Sequence, residues 1–307
     1  MKRFDELHVV VLAGGPGSER SVSLVSGKAV ADAIQGLCQS VELLDVTDGS
    51  FALPAGTDLV FNLIHGTFGE DGELQQILES RGVPYTGAGK ASSRLAFDKI
   101  LSKERFLARG VKTPVYEVVP ARPGACDAWS VPCVVKPPRE GSSVGVHLVE
   151  QREALNAALE DVAKFGKEAL VEQMIRGKEL TVGILRDEAL PVIHIQPRSG
   201  FYDINNKYPW MNAKGGTDYF CPADLPADVT LAVQTEALKA HRSLGVEIYS
   251  RVDVLLDAEN RPFVLEVNTI PGMTASSLLP KAAAAVGIPF PDLCRRIGED
   301  SWKLRGN

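Results

Sequence analysis

Over the first ninety or so residues, short apolar runs alternate with segments whose apolar positions recur at helical spacing. Residues 8–13, 41–46 and 59–64 read as strands and residues 21–35 and 73–80 as helices, which predicts an open parallel α/β unit. Gly14-Gly-Pro-Gly-Ser-Glu19 and His65-Gly-Thr-Phe-Gly-Glu-Asp-Gly72 each follow a strand and precede a helix, the place where ligands collect in such sheets. A turn-rich stretch, Pro84-Tyr-Thr-Gly87 and Gly89, then breaks the pattern. Beyond it the spacing predicts a helix over 92–108, a strand over 114–119 and a surface loop over 121–130. Strands over 131–136 and 146–149 flank a glycine-serine turn and predict a hairpin with a polar tip, followed by a helix over 152–164 and a strand over 169–175. The chain thus divides into units over 1–89, 90–176 and 177–307. Residues 196–222 lack periodicity yet hold six aromatic residues, which predicts a functional lid in place of a disordered linker.

Inside the third unit, the β-rich runs 251–256 and 263–267 flank Asp257-Ala-Glu-Asn-Arg-Pro262, the pattern of a hairpin. Pairing symmetric about Glu259 and Asn260 sets Asp253 opposite Glu266 and Arg251 opposite Asn268, with all four side chains on one face. Two facing carboxylates repel, so the arrangement asks for a cation between them. An oxygen set of Asp, Glu and Asn suits Mg²⁺ shared with substrate phosphates.

Composition narrows the class. With 45% hydrophobic and 23% charged residues the chain is an ordinary globular protein, and a net charge of −6 argues against nucleic acid as its main partner. Its five cysteines are scattered with no C-x-x-C, which points to reduced thiols and not to a disulfide framework or a zinc site. The first apolar run is too short to span a membrane, and Asp5 and Glu6 before it spoil a secretory leader, so a cytoplasmic location is expected.

The glycine-rich turn at Gly14 fails the dinucleotide fingerprint, whose third glycine would fall at Arg20. It remains a turn onto a helix N-terminus, able to hold a carboxylate, with Glu19 available for an ammonium group. Arg139-Glu-Gly-Ser142-Ser143-Val-Gly145 offers backbone N–H groups and two hydroxyls three residues after Lys136, the makings of a phosphate cradle. Glu172 and Glu179 flank the apolar Met174 and Ile175, a combination suited to sandwiching a base while carboxylates take its amino group and the ribose hydroxyls. Lys99 cannot be told locally from a solvated lysine, and His65 reads locally as a turn histidine.

Taken together, Lys99, Val134-Val-Lys-Pro137, the Ser142 turn, the segment from Glu172 to Glu179, Arg251-Val-Asp253 and Glu266-Val-Asn268 resemble the ATP-grasp fold. His65-Gly-Thr-Phe-Gly-Glu-Asp-Gly72, Phe97-Asp-Lys99 and Asn268-Thr-Ile-Pro-Gly-Met-Thr274 extend the resemblance, over nearly the whole chain, to the D-alanine:D-alanine ligase family. The resemblance implies an α/β N-terminal unit followed by two subdomains that clamp ATP. It implies ATP binding by Lys99, Lys136, Ser142, Ser143, Glu172, Met174, Ile175, Glu179, Phe201 and Lys207, and two Mg²⁺ ions, replaceable by Mn²⁺, on Asp253, Glu266 and Asn268. Glu19 would receive the ammonium of the first D-alanine and close a triad with Ser142 and the lid residue Tyr208. Arg251 and the Gly272 amide would polarise the reacting carboxylate, and His65, Ser277 and Leu278 would bind substrate, the last two at the second D-alanine. A homodimer is implied as well.

One segment departs from the family pattern: after Lys207-Tyr208 the lid is longer and more aromatic. Relatives that make D-alanyl-D-lactate carry a histidine in the lid region, and none of the five histidines here lies between Phe201 and Pro222. A dipeptide product is therefore expected. The alternatives are an ATP-grasp ligase joining other amino acids and a nucleotide-binding regulator without catalysis.

Overall fold

The structure, a computed structural model, describes residues 2–198 and 216–306. Three sheets build it. The first is parallel, in the order β2-β1-β3, from β1 (His8–Gly14), β2 (Ser40–Val46) and β3 (Leu59–Asn62). Helix α1 (Arg20–Ile34) connects β1 to β2, and the chain then crosses to the other side of β1, so the strand order reverses between β1 and β3. Loops leaving the carboxyl ends of adjacent strands diverge at such a point and leave a crevice. The Gly14 and His65 loops both open there, the latter running into α2 (Glu73–Ser80).

The second sheet is antiparallel, in the order β4-β7-β5-β6, from β4 (Tyr116–Pro120), β5 (Cys133–Lys136), β6 (His147–Val149) and β7 (Glu168–Gln173). Helix α5 (Leu155–Val162) buries Leu155, Ala158, Leu159 and Val162 against the same core as Val135 and Val171. The third sheet runs β11-β10-β8-β12-β13, with β8 (Gly177–Leu185) central and β9 (Glu188–Ala189) paired to its end. Its other strands are β10 (Ile193–Pro197), β11 (Thr217–Phe220), β12 (Tyr249–Asp257) and β13 (Pro262–Asn268).

Two elements differ from expectation. The helix expected over 92–108 is two helices, α3 (Lys90–Phe97) and α4 (Lys99–Ala108). Asp98, in extended geometry, interrupts it and caps the second helix, its carboxylate accepting from Ile100 N at 2.9 Å and Leu101 N at 3.3 Å. The lid expected over 196–222 begins and ends in strand: β10 and β11 pair with His194 opposite Phe220 and Pro197 opposite Thr217. No alternation marked β11, because it is short and its Phe220 is exposed.

Packing crosses the sequence divisions. Helices α3 and α4 contribute Ala96 and Phe106 to the core of the third sheet, together with α6 (Ala227–Ser243). The C-terminal helices α7 (Leu278–Ala285) and α8 (Phe290–Arg305) share one core with β1, β3 and α1, where Leu279, Leu293 and Ile297 meet Val9, Val11, Ile34 and Phe61. The N-terminal unit is thus seated on the end of the chain.

Candidate active site

The β12–β13 pairing places Arg251 opposite Asn268 and Asp253 opposite Glu266, as the hairpin reading expects, but the turn differs. Leu256 pairs with Pro262, centring the turn on Glu259, and the register shifts between Asp253 and Val254. Leu265 is the extra residue of a β-bulge. It lines the same cavity as Glu266, so two successive side chains face one way.

Each acidic group on this face has basic or amide neighbours. Asp253 accepts Arg251 Nε at 2.9 Å and Nη2 at 2.7 Å, Asn268 Nδ2 at 3.1 Å and Thr181 Oγ1 at 2.7 Å. Glu266 lies 3.2 Å from Lys99 Nζ, which also donates to Glu140 O at 2.6 Å. Lys99, indistinct in sequence, is buried at the first turn of α4, and its backbone N–H holds Pro138 O at 2.9 Å. Asp98 helps to fix the loop by pairing with Arg139 at 2.6 Å. Ser142 and Ser143 both adopt left-handed φ, 50° and 61°, in the turn that Lys99 anchors.

Among the described residues no group of three or more His, Cys, Asp or Glu is arranged to hold a metal ion. Two carboxylates and an amide oxygen on adjacent strands make an all-oxygen partial set instead. That donor chemistry fits Mg²⁺, which keeps other positions for water and phosphate oxygens.

Between the second and third sheets lies a cavity of about 530 Å³ walled by Val134, Lys136, Ser143, Glu172, Met174, Ile175, Glu179, Leu255 and Leu265. Glu172 is 2% exposed between Lys103 and Lys136, each 2.8 Å away. Burial alone would raise its carboxyl, but Lys103 and then Lys136 hold it below the usual carboxylate range. Lys103, unnoticed in sequence, is wholly buried, and that burial, opposed by Glu172, brings its ammonium down to about 8. It donates to Thr113 Oγ1 at 2.6 Å and sits 2.8 Å from Glu172 Oε1, while Lys136 sits on Oε2. Two ammonium groups on one carboxylate leave a net positive charge at the cavity wall.

A second, more polar pocket is lined by Glu19, His65, Glu70, Ser142, Arg251, Asn268, Gly272, Ser277 and Leu278. Glu19 heads α1 and accepts a hydrogen bond from Ser142 Oγ, which ties the N-terminal unit to the glycine-serine turn. The space is tight: a Cβ at Gly141 would lie 2.5 Å from the Glu19 carboxylate. Ser277 Oγ accepts from Thr274 N at 3.0 Å and precedes α7, whose first residue is Leu278. His65 is 4% exposed, with Nδ1 2.8 Å from Ile270 O and Nε2 3.0 Å from Ser26 Oγ. Burial, against the pull of Glu19, keeps it below its usual range. Glu70 accepts from Gly66 N and Ile270 N, both at 2.8 Å, and burial followed by the Glu19 charge pushes its carboxyl up to about 8.

The two cavities meet at Lys99, Glu140 and Glu266, which line both. Sequence reading missed Ser26, Glu70, Lys103 and Glu140 as site residues. Glu70 and Glu140 stand inside the quoted motifs, whereas Ser26 and Lys103 carry no local signal beyond lying on helices. Phe201, Lys207 and Tyr208 lie outside the described residues.

The D-ala D-ala ligase C-terminus family matches residues 121–299, and the D-ala D-ala ligase N-terminus family matches residues 45–88. A D-alanine–D-alanine ligase of Methylacidiphilum infernorum is 46% identical over 302 residues, 97% of this chain and 98% of that protein. One from Bordetella pertussis is 45% identical over 307 residues, 97% and 96% of the two chains. The crystal structure of D-alanine–D-alanine ligase from Bacillus anthracis complexed with ATP superposes with a TM-score of 0.82 at 30% identity, covering 98% of this chain and 99% of that one. Lysines gathered at one cavity, a carboxylate-lined pocket beside it and near full-length likeness agree: the chain belongs to the D-alanine–D-alanine ligase family, ATP-grasp enzymes that form a carbon–nitrogen bond.

Proposed function

We propose that this chain joins two D-alanines into D-alanyl-D-alanine with ATP, for peptidoglycan precursor synthesis. The observation that carries the reading is the junction of the two cavities at Lys99, Glu140 and Glu266, where a phosphate held in one can meet a carboxylate held in the other. A D-alanine carboxylate oxygen attacks the γ-phosphorus of ATP, and ADP leaves. The amine of the second D-alanine then attacks the acyl carbon of the D-alanyl phosphate and loses a proton, and phosphate departs with the carbon–oxygen bond electrons.

Met174, Ile175, Leu255 and Leu265 supply apolar faces for the adenine ring, and Glu172, held as a carboxylate between Lys103 and Lys136, pairs with Lys136 at the wall of the larger cavity. Glu179 serves the ribose, while Lys99, Lys136, Ser143 and the turn's backbone N–H groups take the phosphates. Asp253, Glu266 and Asn268 would hold Mg²⁺, which would neutralise charge on the phosphates. Arg251, paired with Asp253, would share its charge with the reacting carboxylate. Glu19 receives the first ammonium, the Gly272 amide stabilises the developing oxyanion, and Ser277 with Leu278 places the second D-alanine. The expected lid role of Phe201, Lys207 and Tyr208, exclusion of water that would hydrolyse the acyl phosphate, falls outside the described residues. A homodimer acting in the cytoplasm completes the reading. No described helix is long and apolar enough to cross a membrane.

Phosphate release from ATP and Mg²⁺, with D-alanine, L-alanine, D-serine and D-lactate offered separately and products weighed by mass spectrometry, tests this. Release coupled to D-alanyl-D-alanine is expected. Turnover only with another amino acid, ester formation with D-lactate at neutral pH, or ATP binding without turnover each contradicts it.

A further inference from the structure

The loop after β13 that carries Gly272 is held from outside its own unit, at three backbone atoms, by three side chains of the N-terminal unit. Ile270 N–H donates to Glu70 at 2.8 Å, and His65 Nδ1 lies 2.8 Å from Ile270 O. Met273 N–H reaches Ser26 Oγ at 3.3 Å, and the same hydroxyl lies 3.0 Å from His65 Nε2. Burial keeps the His65 ring neutral, and for a neutral ring the donors and acceptors close in one way. Ile270 O can only accept, so the ring proton of a neutral His65 sits on Nδ1; Nε2 is then an acceptor and takes the Ser26 proton, while Ser26 Oγ accepts from Met273 N–H. A neutral imidazole satisfies every partner. Glu70 meanwhile uses its second oxygen on Gly66 N, so its carboxyl group joins the His65 loop to the Gly272 loop. Both peptide groups of Ile270 are thereby fixed, and Gly272 sits between Ile270 and Met273 with little freedom of its own.

We propose that Ser26, His65 and Glu70 are positioning residues for the Gly272 amide: they set its N–H over the reacting carboxyl without binding substrate themselves. His65 then serves through its grip on Ile270, not as a substrate ligand. A hydrogen-bond donor in an oxyanion site matters by its placement, and small displacements are expensive in rate. The clamp also makes the site depend on docking: the amide is in place only while the N-terminal unit is seated on the C-terminal loop. This inference rests on the ligase reading above.

Purified Glu70→Gln and Ser26→Ala chains, compared with the parent, test it through dipeptide formation, ATP KM and thermal midpoint. Glu70→Gln replaces one of two acceptor oxygens by an NH₂ group and frees Ile270 N–H or Gly66 N–H; Ser26→Ala frees Met273 N–H. The expected result is a fall in kcat of about 10- to 100-fold for Glu70→Gln, and a smaller one for Ser26→Ala, with ATP KM unchanged. Combined, the two changes should cost less than the product of their separate effects, because they act on one loop. A kcat equal to the parent's in both variants overturns the proposal. So does a loss in which ATP KM and the thermal midpoint deteriorate in step with kcat, since that marks a general structural defect. Should Glu70→Gln not fold, Ser26→Ala decides alone. A parent that makes no dipeptide sinks the ligase reading and this one with it, whereas an active parent with unaffected variants sinks only the clamp.

Discussion

Glu172 lies between Lys103 and Lys136 with almost no solvent, and its charge is what lets both lysines remain there. Removing one member of a buried ionic cluster leaves uncompensated charge, so Glu172→Gln should lower stability by roughly 3–5 kcal/mol and raise ATP KM, checked by urea unfolding and steady-state kinetics. Glu266→Gln should behave differently. Its carboxylate is partly exposed at the junction of the cavities, so the fold should keep its unfolding midpoint while dipeptide formation falls below detection. Parent-like turnover in that variant would refute the metal assignment. At this scale the charged motif residues were legible, because carboxylates and lysines at strand spacing have few structural uses. Lys103 was not: a lysine on a helix announces its burial only through what packs over it.

The β12–β13 hairpin carries the lesson at the scale of elements. Alternation alone set Asp253 against Glu266, yet the observed register reaches that pairing through a turn centred on Glu259 and a bulge at Leu265. The two irregularities offset each other, which is why the symmetric reading reached the right pair. The bulge has its own consequence, since it turns Leu265 into the nucleotide cavity. Leu265→Ala should raise ATP KM about 10-fold with kcat little changed, from loss of about 1.5 kcal/mol or more of apolar contact. An unchanged KM would place the base elsewhere. Helices α3 and α4 teach the converse: apolar periodicity ran on through residue 98, but Asp98 turned its carboxylate onto the next helix N-terminus and so put Lys99 in the site.

For the molecule as a whole, acid sensitivity has an identifiable source. His241, on α6, is buried with Nδ1 2.8 Å from Ser250 Oγ, and that burial pushes its imidazole from 6.5 down to about 4. The unfolded chain takes up this proton near 6.5 and the folded chain only near 4, so the unfolded state binds more protons in between. Stability is therefore full above about 6.5 and is lost as pH falls toward 4, by roughly 3 kcal/mol from this group. His241→Gln should flatten that part of the midpoint-versus-pH curve, and a slope identical to the parent's would remove His241 as its cause. Tertiary packing also decides what each unit covers, with α7 and α8 in the core of the first sheet and α3 and α4 in that of the third. By itself the sequence determined most of the strand and helix order up to residue 175, the glycine turns, the face that carries Asp253 and Glu266, and through its motifs the family, because periodicity and residue chemistry are local. Only the tertiary structure decided that Lys103 joins Glu172, that two cavities meet at Glu266, and that Ser26, His65 and Glu70 grip a loop some two hundred residues away. Contacts between groups far apart in the chain depend on how whole sheets and helices pack, and no local pattern of side chains encodes that.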